Sequence, residues 1–512
     1  VGMWSNLFFL VDALRVADYL ETRQDIDFAG GMGITGVSGG GFATLFLAVL
    51  DPRVRVIAPV CCTAPFGGHV IKGLYTGCPE NYLPGQARLG MDFDHLLCLA
   101  SPLPCLVVGG TEDELFRPEQ VRMAYDQAKN IYALEDVPER LDLFFDQSPH
   151  KYTLPMAQQV VRWFKCWFSK EDQPERPEEE KTVALLPREE LDCGTTETTT
   201  GMLQAVERQV GLLRQSRLPR TSLGDITRIL GYPQGEDLVQ KDMAVLPQPD
   251  PRWGYPHLHR FTIDRKDDLQ LKVWRAGFPQ APSGLFVGFT DRSKLELLRQ
   301  GQGVFNLCRQ VAVADLRGLG ELQPDPTDYD LYHWCSIDRA LSDLLYLCGE
   351  TALGQQTRDA LAVLNASTRD FPDEDIPVVV YGRGEAALPA LFAGLLHPRP
   401  GWIVLDSFLC SFEALACHAS PTWSRYQYLP DVLRSFDLPE LIAAHQEKHF
   451  VLFNPLDALE ERLEADAARR LYPPELAHVI LELFEEPRHS PGFGAAESAV
   501  TLADRLRFIF PG

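Results

Sequence analysis

The chain has 512 residues, 45% of them hydrophobic, and a formal net charge of −23. That length and apolar content suffice for two or more buried cores, and a strongly acidic surface repels phosphate backbones, which argues against a nucleic-acid partner. No run of about 18 apolar residues is free of charge, so no membrane-spanning helix is expected, and twelve cysteines in a chain this long do not make a disulfide scaffold.

The opening stretch, Val1 to Leu20, carries Asp12, Arg15 and Asp18 among apolar residues at helical spacing. It reads as an amphipathic helix and not as a signal peptide, which leaves a cytoplasmic or a secreted location open. Short apolar strands then alternate with helical stretches up to about residue 170. Phe28–Val37, Val54–Cys62, Pro104–Gly110 and Leu141–Phe145 are the expected strands, and Val160–Phe168 closes the segment as an aromatic-rich helix. The alternation predicts an α/β layer with a parallel sheet.

Ser169 to Thr182 is a Pro/Glu/Lys run that reads as a solvated linker. Residues 171–250 form a linker and connecting module with one clear helical pattern, Met202 to Leu218. From 251 to 512 the α/β pattern restarts. His257–Ile263 and Leu269–Arg275 suit a hairpin, and Gly284–Phe289, Val311–Asp315, Ile376–Tyr381, Ile403–Leu405, His449–Phe453 and Val479–Phe484 are further strands.

The two α/β segments share a register. Arg23, Gly36-Val37-Ser38-Gly39-Gly40 and Asp51-Pro52-Arg53 recur at one constant offset as Arg369, Gly382-Arg383-Gly384-Glu385-Ala386 and His397-Pro398-Arg399. This predicts a duplicated domain. Gly384 stands in the place of Ser38, and His489 matches His150, so the second copy has a histidine and no nucleophile. It reads as a structural or binding relative.

Gly36-Val37-Ser38-Gly39-Gly40 has the form of a nucleophile elbow, a tight strand-to-helix turn that exposes a serine at its tip. Ile34–Val37 supplies the strand, Phe42–Leu50 the helix, and Gly41 a third glycine. The helix start places the Gly39 amide where negative charge would develop on a substrate oxygen. A serine needs a base, and the base needs an orienting acid. Asp113 follows the strand Pro104–Gly110, with Glu112 and Glu114 as fallback acids. His150 follows the next strand, whereas His69 and His95 precede the acid and break the order serine, acid, histidine. Cys61 and Cys62 follow a strand but precede no glycine-rich helix start, and Gly39–Gly41 lacks the Lys-Ser/Thr of a phosphate loop. Neither metal-ligand spacing nor a cofactor motif appears. Cys61, Cys62, Cys78, Cys98 and Cys105 read as small buried residues, with a local disulfide as the alternative.

With these residues placed, the first domain resembles the acetyl xylan esterase-like branch of the α/β-hydrolases. The likeness is carried by Gly2-Met3-Trp4, Tyr19-Leu20-Glu21-Thr22-Arg23, Gly33 to Gly41, Leu50-Asp51-Pro52-Arg53-Val54, Cys78 to Gly85 and Gly110-Thr111-Glu112-Asp113. The resemblance implies two tandem α/β-hydrolase-like domains, each a mostly parallel sheet flanked by helices. It also implies hydrolysis of small acyl esters, acylated carbohydrates among them, through an acyl-enzyme on Ser38. In the second domain, Ala314 to Gly320 resembles the family's Arg-Gly loop. The first domain is expected to lack the family's first strands and second oxyanion donor, a loss worth roughly 3 kcal/mol of transition-state stabilisation. An open sheet edge follows, which predicts association with another copy or a complementing N-terminal chain. Two rival readings remain: a non-catalytic binding or scaffold protein on hydrolase-like folds, and a serine peptidase. Tyr82, His95 and Phe116 are pocket-lining candidates.

Overall fold

A computed structural model describes residues 5–65, 81, 83–168, 186–192, 201–217, 222–231, 239–245, 257–264, 269–277, 284–300, 308–324, 336–369, 371, 376–484 and 509. The described strands form two sheets. The first is wholly parallel and runs in chain order β1 (Met32–Val37), β2 (Val54–Val60), β3 (Cys105–Gly110), β4 (Leu141–Asp146). Parallel neighbours need crossover helices, which cover both faces and let the inner strands read as continuous apolar runs. All six residues of β3 are buried, and six of the seven in β2.

The first helix, α1 (Ser5–Thr22), lies against α2 (Gly39–Leu50). Arg53 fixes that corner. Its guanidinium pairs with Asp51 (2.7 Å), Glu21 (2.8 Å) and Asp18 (2.9 Å), which ties α1 to the turn between α2 and β2. The bonds from Arg53 hold the Asp51 carboxyl below the usual carboxylate range. α2 is almost entirely apolar and seats Phe42, Leu45 and Phe46 in a core shared with α3 (Phe93–Leu99) and α4 (Pro118–Leu134). Pro118 opens α4, where the ring's fixed φ suits the first turn. On the other face, α5 (Leu154–Phe168) buries Met156 and Val160 against β2 and β3.

The second sheet has nine strands in the order β13-β12-β11-β10-β8-β9-β7-β6-β5. Its parallel part comprises β8 (Leu285–Thr290), β9 (Gln310–Ala314), β10 (Val378–Arg383), β11 (Trp402–Asp406), β12 (His449–Phe453) and β13 (Val479–Glu482). The expected hairpin is present as β6 (His257–Asp264) and β7 (Gln270–Gly277), paired antiparallel. Two elements lie where the sequence suggested only a connecting module. β5 (Val239–Val245) adds to β6, and α7 (Leu223–Ile229) buries Ile226 and Ile229 in the second core. The expected helix, α6 (Met202–Ser216), also packs there through Val210 and Leu213.

The two sheets treat their elbow strands differently. β10 is internal, flanked by β8 and β11, whereas among the described strands β1 pairs with β2 alone. The helices preceding those strands differ in the same way. α1 leaves Leu7, Phe9, Val11, Val16 and Tyr19 exposed, whereas α9 (Ala352–Arg369) is buried along nearly its whole length. α8 (Ile337–Leu347) precedes α9, and its last residue, Leu347, packs in the core beside the first sheet, with Phe42 and Phe93. No helix among the described residues is long and apolar enough to cross a membrane. Cys61, Cys62, Cys98 and Cys105 are free thiols, so the local disulfide is not formed among them; Cys78 lies outside the described residues.

Candidate active site

Ser38 sits between β1 and α2 with φ 56° and ψ −118°, a backbone conformation that L-residues rarely adopt and that functional turns retain. Its N–H donates to Val60 O (3.0 Å) and its carbonyl accepts from Phe42 N–H (3.0 Å), so both neighbouring elements hold the turn. Two glycines permit it. A Cβ on Gly36 would stand 2.6 Å from the Gly40 carbonyl carbon, and one on Gly41 would stand 2.3 Å from Cys62 Sγ. Gly40, the motif's last glycine, faces open space. The third glycine noted in the sequence is therefore the one that packing requires.

Asp113 and His150 meet as the strand ends suggested. His150 Nδ1 lies 3.0 Å from Asp113 Oδ2. Asp113 Oδ1 accepts from the N–H groups of Leu115 (2.9 Å) and Phe116 (2.8 Å), which fixes the carboxylate from behind. The Asp113 side chain is fully buried and that of His150 is 17% exposed, so the imidazole has one wet edge. Phe116 stacks on the ring with centroids 5.6 Å apart, which places it beside His150. With Nδ1 turned to the carboxylate, Nε2 is the nitrogen left for chemistry. Among the described residues, no hydrogen bond joins Ser38 Oγ to His150.

The other candidates lie elsewhere. Glu112 is exposed and accepts from Gln147 (3.2 Å). Glu114 is exposed, and His95 caps α3 by accepting the Asp92 N–H at Nδ1 (2.8 Å). His69, Tyr82 and His489 lie outside the described residues.

Two further residues neighbour the site: Cys61, which the sequence offers only as a rejected nucleophile, and one that it does not single out. Cys61, at φ 48° just past β2, is fully buried, and its thiol donates to Lys151 O (3.7 Å), beside His150. Cys61 Sγ, an Asp113 oxygen and a His150 nitrogen all lie within 4.8 Å of one another. By type these atoms could hold a soft metal. Burial and the adjacent Asp113 charge, however, push the thiol up to about 12. A neutral thiol is neither a good ligand nor a nucleophile, and Asp113 and His150 are already engaged with each other. The second neighbour is Asn81, whose Oδ1 lies 3.9 Å from where a Cβ on Gly39 would be. A segment without apolar period gives no sign of that contact.

No protein-family model matches the chain. In sequence it is 25% identical over 173 residues to the protein named Putative hydrolase YtaP of Bacillus subtilis (strain 168), covering 32% of this chain and 54% of that protein. The chain thus spans about half the length of the curated relative it matches. In structure it is similar to a protein of Bacteroides fragilis NCTC 9343 described as a putative acetyl xylan esterase, at 15% identity and TM-score 0.44, covering 57% of this chain and 84% of that one. It is also similar to the acetyl xylan esterase from Paenibacillus sp. R4, at 15% identity and TM-score 0.34, covering 54% of this chain and 93% of that one. The described strands of the chain form one parallel and one mostly parallel sheet between helices.

Proposed function

We propose that the chain is a serine carboxylic-ester hydrolase. The observation that carries this reading is the Asp113–His150 pair at 3.0 Å in the same unit as a serine on a strained strand-to-helix turn. In this reading Ser38 Oγ attacks the ester carbonyl while His150 Nε2 takes its proton, and Asp113 holds the imidazole in the tautomer that leaves Nε2 basic. The Gly39 N–H, at the start of α2, donates to the developing oxyanion. His150 then protonates the leaving alcohol, and a water it deprotonates releases the acid from Ser38. The closing of Ser38 on His150 belongs to the substrate complex, since such contacts are often long in the free enzyme. Small acyl esters, those on carbohydrates among them, are the substrates implied by the sequence resemblance.

The second unit takes no chemical part in this reading. It is a diverged copy with glycine at the nucleophile position. Support comes from a shared backbone signature: Gly384 (φ 58°) follows β10 as Ser38 follows β1, and Ser407 (φ 52°) follows β11 as Cys61 follows β2, at the same spacing.

The test is turnover of p-nitrophenyl acetate together with fluorophosphonate labelling. Ser38→Ala is expected to lower kcat by at least 10³-fold and abolish labelling. Full activity in that variant, or a label on another residue, would overturn the reading.

A further inference from the structure

The elbow supplies one amide, Gly39 N–H, at the point where an oxyanion would form. One donor makes a weak trap, because each donor aimed at developing charge contributes separately to the rate. A second polar group stands beside it. Asn81 is 5% exposed, and its Oδ1 is buried without a hydrogen-bond partner. That atom lies 3.9 Å from the position a Cβ on Gly39 would take, so the terminal amide faces the start of α2 next to Ser38. An unpaired buried amide oxygen is costly and calls for a role that packing does not provide. The segment after it is anchored. Leu83 N–H donates to Gln86 Oε1 (3.1 Å), and Gly85 N–H donates to Tyr346 O of the second unit (2.7 Å).

We propose that Asn81 is a catalytic residue of this site, the second oxyanion donor, acting with Gly39 N–H on the carbonyl oxygen of a carboxylic ester. The assignment rests on the ester-hydrolase reading above. A half-turn about the last side-chain bond exchanges Oδ1 and Nδ2 while the rest of the residue stays in place, so the same spot offers a donor when an acceptor oxygen arrives. In the step, the Ser38 Oγ–carbon bond forms, the carbonyl π pair moves onto oxygen, and the serine proton passes to His150 Nε2. The Nδ2–H bond to that oxygen strengthens as the charge grows. When the pair returns, the carbon–alkoxy bond breaks and the alkoxy oxygen takes the proton from His150. The contact is worth more in the transition state than in the ground state, so its loss falls on kcat.

The experiment uses the full chain, p-nitrophenyl acetate, Asn81→Asp (nearly isosteric, with an acceptor in place of the donor) and Asn81→Ala. Both are expected to lower kcat by about 10²–10³-fold with KM within about threefold and the thermal midpoint unchanged. Fluorophosphonate labelling of Ser38, whose transition state uses the same hole, slows in parallel. A kcat within threefold of the parent in both variants overturns the assignment. So does a loss of kcat that comes with a lowered midpoint and a raised KM, the mark of a structural role. No turnover by the unaltered chain overturns the ester-hydrolase reading and this assignment with it.

Discussion

Gly384 and Asp291 leave no room for a side chain at the end of β10: a Cβ on Gly384 would stand 1.9 Å from Asp291 Oδ2. The volume that a nucleophile's methylene would need is taken by a carboxylate, and Gly384 holds φ at 58°, where a Cβ is already unfavourable. Gly384→Ser is therefore expected to destabilise the chain by about 1–3 kcal/mol without creating a nucleophile. In a Ser38→Ala background, fluorophosphonate should leave residue 384 unlabelled while the urea midpoint falls. A labelled Ser at 384, or an unmoved midpoint, contradicts this.

The parts of the candidate site legible in the sequence are those fixed by local geometry. Ser38 was readable because the glycine spacing, the strand before it and the helix after it are contiguous. Asp113 and His150 were readable because each follows the C-terminal end of a parallel strand, where ligand-facing loops lie. Asn81 was not, since its contact with Gly39 joins residues 42 positions apart and its segment has no period. β5 was hidden because Lys241 and Asp242 interrupt its apolar residues, as suits an edge strand and also a loop. The face of α8 shows which residues are buried but not in which unit, so the place of Leu347 could not be anticipated.

Glu385 follows Gly384 and shares its crowding. Burial, with the Asp291 charge as the second cause, pushes its carboxyl up to about 7. An ordinary Glu in the unfolded chain titrates near 4.3, so the folded state binds this proton more tightly. Its stability cost is absent below about pH 4, grows as pH rises from there to 7, and is constant above that. Glu385→Gln removes the titration. Urea unfolding at pH 5 and pH 8 should show the variant gaining on the parent by on the order of 2 kcal/mol between the two. A gain that is equal at both pH values, or larger at pH 5, contradicts the assignment.

Leu347 links the two sheets' cores. It ends α8, which precedes α9 and β10, yet it is 1% exposed and packs in the core formed by Phe42, Phe93 and Leu97 beside the first sheet. The carbonyl of the preceding residue, Tyr346, accepts the Gly85 N–H and so anchors the loop that carries Asn81. Truncation to alanine leaves a cavity that costs about 2–5 kcal/mol and frees the end of α8 to shift. If that loop supplies an oxyanion donor, Leu347→Ala should lower kcat on p-nitrophenyl acetate by about tenfold well below the unfolding temperature, because a small misplacement of a donor is expensive. Leu364→Ala is the control. Leu364 is fully buried in the second unit's own core and belongs to no part of the site, so it should destabilise by a similar amount and leave kcat within about twofold. Equal effects of the two variants on kcat would mean that the second unit contributes bulk stability alone. A loss confined to Leu347→Ala would give the part of the chain around the nine-stranded sheet a specific task, holding in place the loop that carries Asn81.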